Sequence, residues 1–561
     1  MEEILQQKKK KGGVFGPIFL SLLMLLALCA FFSACWYVRV YGRIGFDSVL
    51  FTLTGGLGGV SKTLVNDYLL GALLPACVCA VVLSLVLFPV GKRKWRVKNV
   101  QIFPLHPKLA AAIAALLSLT LLVHAAFNVE LVEYLIYSNQ ESELYEAEYK
   151  DPDQVKITFP EEKRNLVYIF LESMETSYLS QDLGGGLPYN LIPELTQLAQ
   201  THVNFSHNDS VGGFSQVTGA SWTIGAMTAH TGGVPLKVPE GITDWQNGYG
   251  KDGEFLDGLT TLNSILEDAG YYQTLMVGSV VGFGGRDTFY ENHGVDRIYD
   301  LVTARRDGIV AYNYWNDFWG MEDLYLYEYA KQELTQISQK DQPFAFTMLT
   351  VDTHHIGGFT CALCGSNYEE SYENAIACAS RQVSEFVAWI MQQDWYENTT
   401  IVITGDHCSM DKGYFNRNID EDYQRHVYNC FINAAAQPFR MKNRQFCAMD
   451  MFPTTLAAMG CTIEGDRLGL GTNLFSPVPT LMEKLGYTQL CAELSKQSVY
   501  YTQNFYGKDY SVLEISSPNK TKGAITVITL CGANEKRILV TPRGIDPSRE
   551  YKVTLDNEGF S

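Results

Sequence analysis

The stretch that decides the fold is Ile401–His407, which reads IVITGDH. Its first four residues are β-branched and predict a buried strand, and Gly405 marks the point where the strand gives way to a loop. Ligand sites in open α/β sheets lie at the carboxyl ends of strands, so Asp406 and His407 are expected to be presented there. A carboxylate oxygen and an imidazole nitrogen can bind a divalent cation, although a lone Asp-His pair can equally be a turn cap followed by an ordinary loop histidine.

A second apolar run, far upstream, ends in the same way. Asn165–Leu171 reads NLVYIFL, which is the length and composition of a buried strand, and Glu172 follows it directly. Two such strands in one sheet would present Glu172, Asp406 and His407 at a common edge. The sequence therefore predicts a site made of two carboxylates and one imidazole.

Strand-like and helix-like patterns alternate between these two runs and beyond them. Tyr272–Val277 and Phe344–Val351 read as strands, whereas Leu262–Asp268 and Ala377–Gln392 have helical periodicity. Alternation of this kind predicts an α/β domain with a mainly parallel sheet covered by helices. We place this domain at residues 161–490.

Three apolar segments precede the domain. Residues 14–38, 68–90 and 109–129 are each long enough to cross a bilayer as a helix, so residues 1–129 read as a membrane anchor. Two basic runs, Lys8–Lys11 and Lys92–Lys98, fall on the same side if all three segments span the membrane, and basic loops stay in the cytoplasm. The acidic linker at 130–160 and everything after it are then expected outside the cell membrane.

Charge separates the anchor from the rest of the chain. Residues 1–128 carry 13 Lys and Arg against 4 Asp and Glu, whereas the remainder carries 30 against 57. An acidic domain lacks the basic face that a phosphate backbone requires, which argues against nucleic acid as a partner.

Two further features lie outside this scheme. Residues 497–561 contain short β-rich runs separated by turn residues, which predict a small β module. Cys361, Cys364 and Cys378 surround a polar loop, and an extracytoplasmic location favours a disulfide between two of them over a zinc site, which would want a fourth ligand.

The expected nucleophile lies in the stretch 219–227, which reads GASWTIGAM. Ser221 is expected to be a helix N-cap, with Thr223 in the first turn. Free N–H groups and the helix dipole favour anions there, and a hydroxyl beside a cation can lose its proton and attack phosphorus. Simple capping by a Ser or Thr is the alternative.

At this point the chain resembles a known family: the membrane-anchored phosphoglycerol transferases, including the lipoteichoic acid synthases, of the alkaline phosphatase–sulfatase superfamily. The resemblance spans roughly residues 165–476. The segments that carry it, in family order, are Asn165–Ser173 (NLVYIFLES), Ser221–Leu236 (SWTIGAMTAHTGGVPL), Phe283–Gly294 (FGGRDTFYENHG), Leu349–His355 (LTVDTHH), Thr404–His407 (TGDH) and Leu468–Ser476 (LGLGTNLFS).

The resemblance implies a role for each matched residue. It implies that Mn²⁺ or Mg²⁺ is held by Glu172, Thr223, Asp406 and His407. Thr223 is then also the catalytic nucleophile.

The nucleophile assignment has alternatives, and the resemblance adds substrate contacts. Some relatives have threonine where this chain has Ala220, so Ser221 is the second candidate nucleophile and Thr218 the third. The resemblance implies that the substrate phosphate is contacted by Arg286 and His354, with His355 as a near alternative. His426 could also reach the site, but a structural histidine is the preferred interpretation.

The resemblance also implies the reaction. Phosphoglycerol would pass from phosphatidylglycerol to a cell-envelope glycan, glycolipid or teichoic acid acceptor through a covalent threonine intermediate. The alternatives are a phosphoethanolamine transferase or lipid phosphodiesterase of the same fold, or a non-catalytic envelope polymer-binding protein. A sulfatase is disfavoured because no Cys-x-Pro-x-Arg pattern stands at the nucleophile loop.

Overall fold

The fold is taken from a computed structural model of the 561-residue chain. It describes residues 2–42, 46, 49–50, 62–89, 95–97, 100–103, 105–237, 253–314, 319–505, 510–516 and 523–529.

Within these ranges, three helices are long and apolar enough to cross a membrane: Phe15–Tyr41, Leu64–Leu87 and Pro107–Asn128. They confirm the three predicted spans with shifts of a few residues. The first belongs to a longer helix, Glu2–Tyr41, and the second contains a π-helical turn at Leu69–Leu73. The basic run Lys92–Lys98 lies largely outside the described residues. Within that run, Trp95–Val97 forms a strand that pairs antiparallel with Val100–Phe103, ahead of the third span.

The described residues of the large domain form a seven-stranded sheet. Its strands are β1 (Asn165–Leu171), β2 (Gly213–Phe214), β3 (Tyr272–Val277), β4 (Arg297–Tyr299), β5 (Phe344–Leu349), β6 (Thr399–Gly405) and β7 (Val427–Ile432). The spatial order is β2-β7-β6-β1-β5-β3-β4. The pairs within β6-β1-β5-β3-β4 are parallel, and β7 is antiparallel to both of its neighbours. The predicted mainly parallel α/β sheet is therefore confirmed, with an antiparallel strand near one edge.

The sheet is buried on both faces, as parallel sheets require. Along β1, alternate side chains enter two separate cores: Leu166, Tyr168 and Phe170 on one face, Val167, Ile169 and Leu171 on the other. The helices that follow the anchor are Leu131–Tyr137, Leu144–Glu148, Pro193–Thr201, Thr223–Gly232, Leu262–Asp268, Arg286–Asn292, Leu301–Arg306, Asp323–Ile337, Ser371–Ile390, Lys412–Asn418, Met451–Ala458, Leu481–Leu485, Tyr487–Ser495 and Val499–Phe505. Short strand pairs join Ile157–Thr158 to Thr462–Ile463, and Arg467–Leu468 to Gly471–Thr472.

The predicted linker at 130–160 is folded onto the domain, which corrects that interpretation. Tyr145 is 1% exposed and lies in the core on one face of the sheet, edge-on to Tyr501. Glu148 forms an ion pair with Arg467 at 2.6 Å. Because the composition of the segment is acidic, its sequence did not indicate that residues such as Tyr145 pack in the core. The domain core extends beyond 161–490 in both directions.

The C-terminal region is described only in part. Tyr510–Ser516 and Gly523–Thr529 pair as an antiparallel hairpin, and the other predicted strands of the module at 497–561 lie outside the described residues. The predicted disulfide is not formed, because Cys361, Cys364 and Cys378 are all free thiols.

Candidate active site

The parallel pairing of β1 and β6 brings the predicted carboxylates together. Leu171 is paired with Gly405, so Glu172 and Asp406 leave the sheet at the same level. The Nε2 atom of His407 lies 3.7 Å from Glu172 Oε1 and 3.3 Å from Asp406 Oδ2. We call these three residues the carboxylate–imidazole centre; one ligand atom from each lies within 4.8 Å of the other two.

Both carboxylates are buried and incompletely satisfied. Glu172 and Asp406 are 0% and 1% exposed, and Glu172 Oε2 and Asp406 Oδ2 have no hydrogen-bond partner among the described residues. Burial raises the pKa of Glu172 well above its usual range, and the negative charge of Asp406 raises it further. A buried oxygen without a partner is costly, and a divalent cation would satisfy both at once. The residues present therefore fit such an ion.

The orientation of His407 points to the same conclusion. Its Nδ1 atom lies 2.9 Å from the carbonyl oxygen of Cys408, which fixes the proton on Nδ1. The Nε2 atom then faces the two carboxylates. A histidine held in this way is the usual arrangement for a metal ligand.

Thr223 opens the helix Thr223–Gly232, and its hydroxyl faces the centre. Its Oγ1 atom lies 3.5 Å from Nε2 of His407. The N-cap of this helix is Trp222, so the expectation that Ser221 caps it is wrong. The hydroxyl of Thr218 accepts a hydrogen bond of 3.4 Å from Ser495. Of the three candidate nucleophiles, Thr223 is the one with a hydrogen bond to a residue of the centre.

Arg286 is buried at the start of its helix, with 1% of its surface exposed. Its Nη2 atom donates to the hydroxyl of Ser279 and the carbonyl of Val280, and its Nε donates to the carbonyl of Phe283. Nη1 has no partner within the described ranges. Burial lowers the pKa of Arg286 to about 10, against the opposing effect of the Glu172 charge, so the guanidinium stays positive at neutral pH.

His354 and His355 form a stack of rings beside the arginine. Trp319 lies over the Arg286 guanidinium at 5.3 Å and stacks on His354 with ring centroids 4.1 Å apart. His354 in turn stacks on His355 at 4.4 Å. Burial lowers the pKa of His355 to about 3 and that of His354 well below its usual range, so both imidazoles are neutral.

The stack continues into the membrane anchor. The ring of Tyr41, the last residue of the first spanning helix, meets His355 edge-on with centroids 5.2 Å apart. The sequence offered no signal for this contact, because the two residues are more than 300 positions apart.

Two polar neighbours of the centre were also missed. Ser173 donates its backbone N–H to Asp406 Oδ1 and its hydroxyl to Glu172 Oε1, both at 2.8 Å. It does so in the left-handed region at φ 54, which a non-glycine residue rarely occupies. Thr350 accepts the backbone N–H of Glu172 at 3.0 Å. Thr350 directly follows β5 and Ser173 is the second residue after β1, so the strand-end rule that selected Glu172 could have found both.

His426 lies just before β7 and stacks on His207 with ring centroids 3.4 Å apart. Its Nδ1 atom is 2.9 Å from the carbonyl oxygen of Gln424, and burial lowers its pKa to about 4. These contacts agree with the structural interpretation.

Comparison with known protein families matches residues 164–461 to the family described as Sulfatase. A curated relative, phosphoglycerol transferase I of Citrobacter koseri, is 30% identical over 404 residues, which is 70% of this chain and 49% of the relative. The chain therefore spans about half the length of the curated relatives it matches.

Two solved structures were found to be similar to this chain. The lipoteichoic acid synthase LtaP from Listeria monocytogenes is 19% identical with a TM-score of 0.43, covering 57% of this chain and 79% of that one. The lipooligosaccharide phosphoethanolamine transferase A from Neisseria meningitidis is 14% identical with a TM-score of 0.48, covering 79% and 84%.

Proposed function

The chain belongs to the sulfatase family, and from this premise we propose that it is a membrane-anchored phosphoglycerol transferase. It takes phosphoglycerol from phosphatidylglycerol and passes it to a cell-envelope glycan, glycolipid or teichoic acid. The domain stands outside the cell membrane, held at its surface by the three spanning helices. The name of the 30% identical relative supports the choice of phosphoglycerol as the transferred group.

The observation that carries this proposal is the position of the Thr223 hydroxyl, 3.5 Å from His407 Nε2 at the carboxylate–imidazole centre. Glu172, Asp406 and His407 would hold Mn²⁺ or Mg²⁺. When bound, this ion lowers the pKa of the threonine hydroxyl and neutralises charge on the phosphoryl oxygens. Thr223 Oγ1 is the nucleophile of the proposed reaction.

The reaction then proceeds in two balanced displacements. Thr223 Oγ1 forms a bond to phosphorus while the bond from phosphorus to the diacylglycerol oxygen breaks. The threonine proton ends on the released diacylglycerol. In the second step an acceptor hydroxyl attacks phosphorus, the Thr223 ester bond breaks, and the acceptor's proton returns to the threonine oxygen.

The remaining residues bind and orient the phosphate. Arg286 supplies a fixed positive charge in a dry environment, where a charge-assisted hydrogen bond to a phosphoryl oxygen is strongest. The rings of His354 and His355 are neutral and lie beside Arg286. They therefore add no positive charge next to its guanidinium. This local positive charge is needed because the rest of the domain is acidic and would repel an anionic lipid.

The contact between Tyr41 and His355 supports a lipid donor. The end of a membrane-spanning helix lies where the lipid–water interface is expected, and aromatic rings favour that interface. A site touched by this residue is within reach of a lipid headgroup. A soluble phosphodiester would need no such placement.

The rival activities differ in the headgroup or in the acceptor. A phosphoethanolamine transferase would select a zwitterionic lipid, and a lipid phosphodiesterase would use water as acceptor. A non-catalytic envelope polymer-binding protein would have no use for a buried cation site. Sulfatase chemistry is disfavoured because the nucleophile loop reads SWTIG, without the Cys-x-Pro-x-Arg pattern.

The test is release of diacylglycerol by the full-length protein reconstituted in vesicles. We expect release from phosphatidylglycerol that requires Mn²⁺ or Mg²⁺, with slower release from phosphatidylethanolamine. Adding candidate acceptors should speed turnover and yield a phosphoglycerol-modified product. Faster release from phosphatidylethanolamine, or release that survives chelation, would contradict the proposal.

A further inference from the structure

A second cluster of metal-ligating side chains lies outside the candidate active site. The sulfur atoms of Cys361, Cys364 and Cys378 converge: the first lies 3.6 Å from the second and 3.9 Å from the third. All three residues are buried, with 8%, 4% and 1% of their surfaces exposed. We call them the cysteine cluster.

These separations suit a shared cation better than a covalent bond. Disulfide sulfurs are ~2.05 Å apart. Sulfur ligands of a tetrahedral zinc ion, each ~2.3 Å from the metal, lie about 3.8 Å from one another. A disulfide would also leave the third thiol buried without a role, whereas one cation uses all three sulfurs.

The hydrogen-bond donors around the cluster favour the thiolate form of its cysteines. Backbone N–H groups donate to two of the sulfurs, from Leu363 to Cys361 at 3.4 Å and from Cys361 to Cys364 at 3.2 Å. Cys378 receives Nε2 of Gln382 at 3.3 Å and Nη2 of Arg381 at 3.4 Å, from the next turn of its own helix. Every sulfur thus receives at least one N–H donor. A neutral thiol is a weak acceptor, and such donors are the usual outer shell of a metal thiolate.

We propose that the cysteine cluster binds a Zn²⁺ ion through three thiolates, with solvent as the fourth ligand. Three buried thiolates would be prohibitively unfavourable without a cation, and Arg381 offsets part of the remaining negative charge. Thiolate ligands select zinc over the hard cations that oxygen ligands prefer.

The position of this site assigns its role. Residues 350–370 connect strand β5 to the helix Ser371–Ile390 without a helix or strand of their own, and they carry His354 and His355. Cys361 and Cys364 belong to this loop, and Cys378 belongs to the helix. The ion therefore fastens the loop that presents the two histidines to a rigid element, as a structural metal does.

The test is the metal content of the full-length protein, purified in detergent with a reductant. Asp406→Asn is used as the background, so that an ion at the carboxylate–imidazole centre does not contribute. We expect about one zinc per chain in this variant, and a loss of that zinc when Cys378→Ser is added. Cys461→Ser is the matched control, because Cys461 is also buried but lies outside the cluster, and it should keep the zinc.

A second measurement does not depend on how the cysteine variant folds. The Asp406→Asn protein is exchanged into Co²⁺, and thiolate ligation should give an intense sulfur-to-cobalt absorption band in the near ultraviolet. Absence of this band together with zinc far below one per chain would overturn the proposal. So would mass spectrometry that finds a disulfide between two of the three cysteines in protein purified without reductant. Neither result would bear on the phosphoglycerol transferase reaction, which is assayed separately by diacylglycerol release.

Discussion

The carboxylate–imidazole centre and the cysteine cluster are two metal-type sites in one domain, built in opposite ways. The first takes its ligands from the ends of adjacent parallel strands, where the register of the sheet fixes their positions. The second takes them from a loop and a helix, which come together only through tertiary packing. One leaves carboxylate oxygens without partners, whereas the other surrounds each sulfur with N–H donors.

Because the two sites are built differently, we expect them to have different roles. Buried carboxylate oxygens near the Thr223 hydroxyl suit a cation that takes part in chemistry, because such an ion would contact the group proposed to react. Sulfurs held by an outer shell of donors suit a cation that stabilises a loop. Activity should therefore depend on the first site, and thermal stability on the second.

The largest effect is expected from Thr223→Ala. Loss of the nucleophile should lower turnover by on the order of 10⁴- to 10⁶-fold, because no covalent ester can form. Zinc at the cysteine cluster and much of the metal at the carboxylate–imidazole centre should be kept, as measured on the same preparation. Ser221→Ala is the matched control, because it removes a hydroxyl two residues before the helix start, and it should change the rate by only a few fold. Equal losses in the two variants would remove Thr223 from its assigned role.

The assignment of activity to one site and stability to the other is tested by comparing the separate variants Asp406→Asn and Cys378→Ser. Asp406→Asn should cost about 10³-fold in diacylglycerol release, since a catalytic ion supplies several kcal/mol of charge stabilisation. Cys378→Ser should instead lower the Tm by roughly 5 to 10 °C while costing about tenfold or less in activity. Calorimetry and the release assay, run on both proteins, check this. If the cysteine variant were as inactive as Asp406→Asn, the division between the two sites would be wrong.

The smallest effect is expected from Tyr41→Ala. Its ring packs on His355 at the membrane side of the site, and such aromatic contacts contribute about 0.5–1.5 kcal/mol. We expect an increase of between about two- and tenfold in the KM for phosphatidylglycerol in vesicles. Hydrolysis of a water-soluble phosphodiester should be unchanged, and Tyr41→Phe should behave as the unsubstituted chain. A fall in both reactions would place the tyrosine's role in folding.

Much of the candidate active site followed from the sequence because its proposed metal ligands stand at strand ends. The bounds of β1 and β3 were predicted to the residue, and the rule that selected Glu172 and Asp406 needs only local patterns. What the sequence did not reveal depends on contacts between distant segments. The burial of Tyr145, the position of Tyr41 and the antiparallel direction of β7 belong to this class.

The cysteine cluster shows what the spacing of residues in the sequence cannot predict. The sequence displayed Cys361, Cys364 and Cys378, but spacing alone could not tell a disulfide from a shared ion. The expectation of four ligands favoured the disulfide. Only the three-dimensional separation of the sulfurs distinguishes the two. Ser221 failed as a cap for a similar reason, because the helix begins one residue later than the Ser-Trp-Thr pattern suggested.

In the proposed reaction, Thr223 is esterified at the carboxylate–imidazole centre during phosphoglycerol transfer. The most direct measurement is peptide mass spectrometry of full-length protein incubated with phosphatidylglycerol and Mn²⁺ in the absence of acceptor, then quenched in acid. We expect one glycerophosphoryl group on the peptide containing Thr223, lost on adding acceptor and absent in Thr223→Ala. An adduct on Ser221 or Thr218, or rapid release of diacylglycerol with no adduct at any time point, would contradict the claim.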